Sequence, residues 1–154
     1  MLARLRMITL FDIAKKVSGL VCGTENKTEN LLGYFTRFGD SASDIEPINR
    51  LYKSYVYRIG EYLKIPEQVI KKVPSAELWE GQTDEKEFGF TYPEADAVLY
   101  FYTEKGLSAG KIAKLGYKKA ASVIDKYGKN LFKTEVPYSI NGRKFPPTKT
   151  AHKP

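Results

Sequence analysis

Apolar residues recur at positions 2, 5, 8, 10, 11, 13, 14 and 17, a helical period with a broad stripe. A stripe this wide predicts a helix covered by more than one neighbour, another subunit among them. Ser18-Gly19 closes it, and "LVCGT" is short, apolar and β-prone, as a buried parallel strand is. "ENKTENLLGYF" reads as a turn entering a short helix, and "SDIEPI" as a second short extended segment closed by Pro47. Asn49 is a good N-cap for a helix to about residue 63, whose apolar positions 52, 55, 56, 59, 62 and 63 share one face. "IPEQVIKKV" predicts a further short helix, started by Pro66 and stopped by Pro74.

The pattern breaks between Ser75 and Gly89. "SAELWEGQTDEKEFG" carries five acidic residues around Gly81 and has no apolar period, which predicts a long mobile loop. Thr91 and Glu94 then have the spacing of a capping box before "AVLYFY". Two short helices follow in "LSAGKIAKLGYKKAASVIDKYGKN", with the turn at Gly116.

Composition narrows the picture. With 154 residues, 42% of them hydrophobic, the chain can build one domain with a core. No apolar run is long enough to cross a bilayer, and "MLARLRMITLFDIAKK" lacks the cleavage site of a secretory signal. A lone cysteine, Cys22, excludes an internal disulfide and fits a reducing cytoplasm. A single histidine, His152, argues against zinc, so any metal is a hard cation on oxygen ligands, magnesium first. The net charge of +7 is uneven: residues 111–154 hold 11 Lys and Arg against Asp125 and Glu135.

Three stretches invite chemistry. "GLSAGK" (106–111) has one residue too few between its glycines for a phosphate loop and Ile112 where Ser or Thr should hold magnesium. Ser108 is better read there as a helix cap. The lysine-rich pair of helices over 108–129 has the outline of a helix-turn-helix, but no readable set of base-contacting side chains. Residues 21–40 are more specific. Gly23-Thr24 allows close approach of a backbone N–H and a hydroxyl to a nucleotide. Glu29 can reach a magnesium ion bridging phosphates, and Lys53 can offer those phosphates a further cation.

"ARLRM", "VCGTENKTEN", "LGYFTRFGD", "DIEPI", "LYKS", "PSAEL", "GQTDE" and a final "FK" with Pro137 occur in this order. Together they resemble the C-terminal part of the ammonia-dependent NAD synthetases, from residue 3 to about 137. The resemblance implies a helix-dominated α/β fold: the C-terminal half of a Rossmann-like ATP-pyrophosphatase domain, adenine nucleotide alpha-hydrolase-like, over residues 1–137. A basic Pro/Lys-rich tail follows over 138–154. It also implies a cytoplasmic, homodimeric ligase that uses ATP and magnesium to adenylate the carboxylate of deamido-NAD, after which ammonia displaces AMP.

On that resemblance Thr24, Lys53 and Ser75 contact ATP, and Glu29 ligates magnesium. Arg4, Arg37, Asp44 and Lys133 contact deamido-NAD at the interface of two subunits, and the acidic loop 75–89 closes over the reactants. Two departures stand out. Phe132-Lys133-Thr134 replaces the usual His-Lys-Arg, and no Ser-Gly-Gly-x-Asp-Ser phosphate loop occurs in these residues. The chain is therefore expected to be incompetent alone. The alternatives are a non-catalytic remnant that binds deamido-NAD or dimerises, and a basic nucleic-acid binder.

Overall fold

A computed structural model describes residues 1–134. Helix α1 (Leu2–Lys16) forms as its period predicts, but within the single chain only Ala3 is buried. Leu2, Leu5, Ile8, Leu10, Ile13 and Val17 all remain exposed. The broad stripe is thus real, and the described residues leave it uncovered. Among the described residues no helix is long and apolar enough to cross a membrane.

The core lies elsewhere. Helix α6 (Tyr92–Leu99) packs against α2 (Lys27–Leu32), α3 (Lys53–Tyr62) and α8 (Ala120–Asn130), and α7 (Ala109–Lys114) closes on α8. Leu32, Tyr92, Ala95, Val98, Leu99, Ile112, Ala120 and Val123 are nearly or wholly buried there. Thr91 caps α6 by accepting from the Glu94 N–H at 3.4 Å. The second half of the expected box is not made. The Glu94 carboxylate instead accepts from the Lys119 N–H at 3.0 Å, anchoring the turn into α8. α6 runs on into a π-helical turn, Tyr100–Glu104, whose Glu104 accepts from Lys27 Nζ and from the Tyr52 hydroxyl, each at 2.7 Å. Ser108 occupies the N-cap position of α7, without a side-chain hydrogen bond.

The reciprocal capping box is at α2. Asn26 Oδ1 accepts from the Glu29 N–H, and Glu29 Oε2 accepts from the Asn26 N–H, both at 3.1 Å. Gly33 ends the helix at φ +61, and a Cβ there would lie 2.4 Å from the Asn130 Cβ. Backbone conformation and close approach to α8 therefore both demand glycine.

Helix α3 begins at Lys53, later than the sequence predicts from Asn49, which lies in a turn. The reason is tertiary. The Lys53 N–H donates to Thr28 Oγ1 at 2.9 Å, and the Ser54 N–H to Asp96 Oδ2 at 2.8 Å. The free N–H groups of the first turn are satisfied by side chains from α2 and α6, so no local N-cap is needed. Asp96 also accepts from the Thr28 hydroxyl at 2.5 Å and the Ser54 hydroxyl at 2.6 Å.

The two extended segments meet in one parallel bridge, Cys22 to Ile45, and the described residues form no longer strand. The Asp44 carboxylate accepts from the Val21 N–H at 2.8 Å, and the Gly23 N–H donates to the Ile45 carbonyl at 2.7 Å. Helix α4 (Glu67–Ile70) follows Pro66 as expected. Residues 75–89 are not loop throughout, because α5 spans Asp84–Phe88. Its acids act as acceptors: Asp84 takes the hydroxyls of Tyr34 at 3.0 Å and Tyr92 at 2.7 Å. Glu85 takes the Tyr92 N–H at 2.8 Å. Pro137, His152 and the expected tail lie outside the described residues.

Asp96→Ala should lower folding stability by about 3 kcal/mol, since buried Thr28 and Ser54 donors lose their acceptor. The shift in urea midpoint measures this. Asp96→Asn should lose less, because it keeps one acceptor oxygen.

Candidate functional site

Two cavities adjoin on either side of residues 23–40. One, of about 530 Å³, is lined by Thr24, Glu25, Glu29, Lys53, Ser75 and Asp84 among others. The other, of about 510 Å³, is lined by Arg6, Thr24, Tyr34, Trp79, Lys126 and Lys133 among others. Thr24, Tyr34, Asp40 and Ala76 line both, so the two spaces share a wall.

The structure brings together all four residues singled out for ATP and magnesium. Lys53 Nζ donates to Glu29 Oε1 at 3.0 Å, and both side chains are more than four-fifths buried. The Lys53 ammonium lies 5.1 Å from the centre of the Tyr92 ring. Ser75 Oγ accepts from the Glu77 N–H at 3.1 Å, a local turn that fixes the hydroxyl at the cavity edge.

The residues singled out for deamido-NAD are more scattered. Lys133 lines the second cavity, but its ammonium donates to the carbonyls of Gly33 at 2.7 Å and Phe35 at 2.9 Å. Arg37 lies over the rings of Phe38 at 5.2 Å and Phe132 at 5.9 Å. Arg4 is exposed on α1, and Asp44 is engaged with Val21; none of Arg4, Arg37 and Asp44 lines either cavity. Gly23 also has a different reason from the expected one. A Cβ there would come within 2.8 Å of Ser43 and Glu46, so the glycine admits the neighbouring loop.

Sequence reasoning missed Glu25, and its place beside Thr24 was the available signal. Its side chain is only 7% exposed, and Oε1 has no hydrogen-bond partner among the described residues. Burial, followed by the nearby carboxylates of Glu46, Asp40 and Glu29, pushes its pKa up to about 8, against a pull downward from Lys133. Burial and Asp84 likewise push the Tyr34 hydroxyl far above its ordinary range. Asp96 was equally legible, as an acid set between alanines in an otherwise apolar stretch.

Among the described residues no group of three or more His, Cys, Asp or Glu is arranged to hold a metal ion. A divalent cation that keeps its water and phosphate ligands needs fewer protein oxygens, and magnesium binds in this way. Glu29, with hard carboxylate oxygens on a cavity wall, fits that role.

The sequence model of the family described as NAD synthase matches residues 1–137. The chain belongs to the NAD synthase family. It is 44% identical over 138 residues to the NH(3)-dependent NAD(+) synthetase of Fusobacterium nucleatum, covering 88% of this chain and 54% of that protein. Identity to the enzyme of the same name from Thermoplasma acidophilum is also 44%, over 90% of this chain and 55% of that one. The solved NMN synthetase of Francisella tularensis superposes with a TM-score of 0.75 at 39% identity, over 91% of this chain and 54% of its own. The Campylobacter jejuni NH3-dependent NAD synthetase, solved with a nitrate ion, gives 0.63 at 31% identity, over 90% and 52%. These neighbours have the adenine nucleotide alpha-hydrolase-like fold, and the expected helix-dominated class holds. The chain spans about half the length of the relatives it matches.

A carboxyl with a raised folded pKa holds its proton more tightly folded than unfolded. Its stability contribution is therefore intact below the ordinary value of 4.5 and is lost as pH climbs through about 8. Glu25→Gln should remove this slope. The variant should gain on the order of 1–2 kcal/mol over wild type at pH 9 and little at pH 4, measured by denaturant midpoints at the two pH values.

Proposed function

We propose that this chain provides the ATP-facing and substrate-facing walls of an ammonia-dependent NAD synthetase. The observation that carries the reading is the convergence of Thr24, Glu29, Lys53 and Ser75 on one cavity that shares a wall with a second. Two reactants held in adjoining cavities meet at that wall, which supplies the proximity an adenylation needs.

In this reading ATP occupies the space beside Lys53, and deamido-NAD the space beside Trp79 and α8. The nicotinate carboxylate attacks the α-phosphorus at the shared wall, and pyrophosphate leaves. Ammonia then attacks the acyl carbon, and AMP leaves with the C–O bond electrons. Neither step requires a protein nucleophile. Lys53 neutralises phosphate charge, its ammonium held in place by α3 and by Glu29. Thr24 and Ser75 offer hydroxyl donors. The segment 75–89 excludes water from the acyl-adenylate, with Asp84 fastening its far end to Tyr34 and Tyr92. Magnesium held through Glu29 and phosphate oxygens would supply charge neutralisation as pyrophosphate departs.

A second copy of the chain is the proposed cover for the apolar face of α1, and a reducing cytoplasm is the proposed setting for the Cys22 thiol. The residues contain no Ser-Gly-Gly-x-Asp-Ser phosphate loop, and this favours a second reading in which the chain alone binds its ligands without turnover.

The test has two parts. Lys53→Met and Glu29→Gln should each weaken magnesium-ATP binding to the full chain at least tenfold by calorimetry; unchanged affinity in both would sink the assignment. NAD formation from deamido-NAD, ATP, magnesium and ammonium is then followed for the chain alone and with a supplied polypeptide carrying the phosphate loop. Nicotinate mononucleotide runs in parallel because the Francisella neighbour is an NMN synthetase. Turnover only with the added polypeptide marks this chain as a binding half.

A further inference from the structure

Helix α8 presents Lys126 and Asn130 to one cavity, and the 3-10 turn Leu131–Lys133 that follows adds Lys133. The two lysines differ in what already holds them. Lys133 donates to two backbone carbonyls at 2.7 and 2.9 Å, so only one of its three N–H groups is uncommitted. Lys126 is half-buried, and its ammonium sits 4.8 Å from the centre of the Phe88 ring and 5.9 Å from that of Tyr34. Among the described residues no carboxylate forms an ion pair with it and no oxygen accepts from it. Glu87, the acid whose charge it feels, instead accepts from Gln82 Nε2 at 2.6 Å.

Aromatic faces steady a cation without supplying hydrogen-bond acceptors. A desolvated ammonium with its donors unmet, on a cavity wall, attracts an anion more strongly than one in water. We propose that Lys126 binds a phosphate of the nucleotide ligand in this cavity, and that Lys133 chiefly braces the turn after α2. The proposal rests on the reading of this cavity as the deamido-NAD site. Position favours phosphate over the nicotinate carboxylate. The carboxylate must face ATP at the shared wall, which Lys126 does not itself line. Its ammonium nevertheless lies 5.9 Å from the ring of Tyr34 there, so comparing deamido-NAD with NAD decides between phosphate and carboxylate.

Trp79, the chain's single tryptophan, lines the same cavity and reports its occupancy by fluorescence. The full chain is titrated with deamido-NAD, with NAD and with inorganic pyrophosphate. Lys126→Met keeps the aliphatic stem over the rings, and it should weaken both dinucleotides alike by tenfold or more. Lys126→Arg should recover most of the loss. Equal affinities of wild type and Lys126→Met overturn the assignment, and so does weakening confined to deamido-NAD, which would place the contact on the carboxylate. If neither dinucleotide perturbs Trp79 in the wild type, the ligand reading of the cavity fails separately. Pyrophosphate then decides: a response abolished by Lys126→Met keeps the phosphate site, and a response that persists or never occurs removes it.

Discussion

One buried carboxylate holds the site together. Asp96 reaches from α6 to the Thr28 hydroxyl on α2 and to the backbone and hydroxyl of Ser54 on α3. Thr28 in turn caps Lys53. A charge this deep is tolerated only because its oxygens are met by three donors. The result is a fixed angle between α2 and α3, and that angle places Glu29 against Lys53. α3 buries no residue of its own, so its relation to α2 rests on polar ties: the Asp96 junction, the Thr28 cap on Lys53 and the Lys53–Glu29 pair.

Acidic residues perform two different jobs around this junction. Asp84, Asp96 and Glu104 are acceptors for hydroxyl and N–H groups: Asp84 and Glu104 take tyrosine hydroxyls, and Asp96 joins α2 and α3. Glu25 has no such partner at Oε1 and is kept neutral by its surroundings at ordinary pH. The cavity beside Lys53 therefore carries less negative charge than its roster of carboxylates suggests. A polyanionic ligand entering there meets Lys53 with fewer competing charges.

Much of this was legible in the chain. The helical periods of α1, α2 and α4 appear where apolar spacing and Pro66 place them, and the residues singled out around Thr24 and Glu29 line one cavity together with Lys53 and Ser75. The misreadings share one cause: a local signal overridden by a distant partner. Asn49 is a good cap, but Thr28 and Asp96 already satisfy the start of α3, so the helix begins later. Glu94 has the spacing of a capping box and is drawn to Lys119 instead. Residues 75–89 show no apolar period because they are anchored by Phe88 and by the buried polar side chains of Gln82 and Asp84, which sequence reading takes for solvated ones. Lys126 was unreadable for the same reason, since only packing shows which of six lysines over 108–129 turns inward.

The double commitment of Glu29 carries one more consequence. One oxygen belongs to its own helix, accepting from Asn26, and the other faces Lys53 and the cavity. An arriving cation or phosphate can rearrange the outer contact while the inner one keeps α2 from fraying. The helix end has already been ordered when the ligand arrives, so the entropy of fixing it falls on folding and is not subtracted from affinity. Preorganisation in this site is thus divided between the two oxygens of a single side chain.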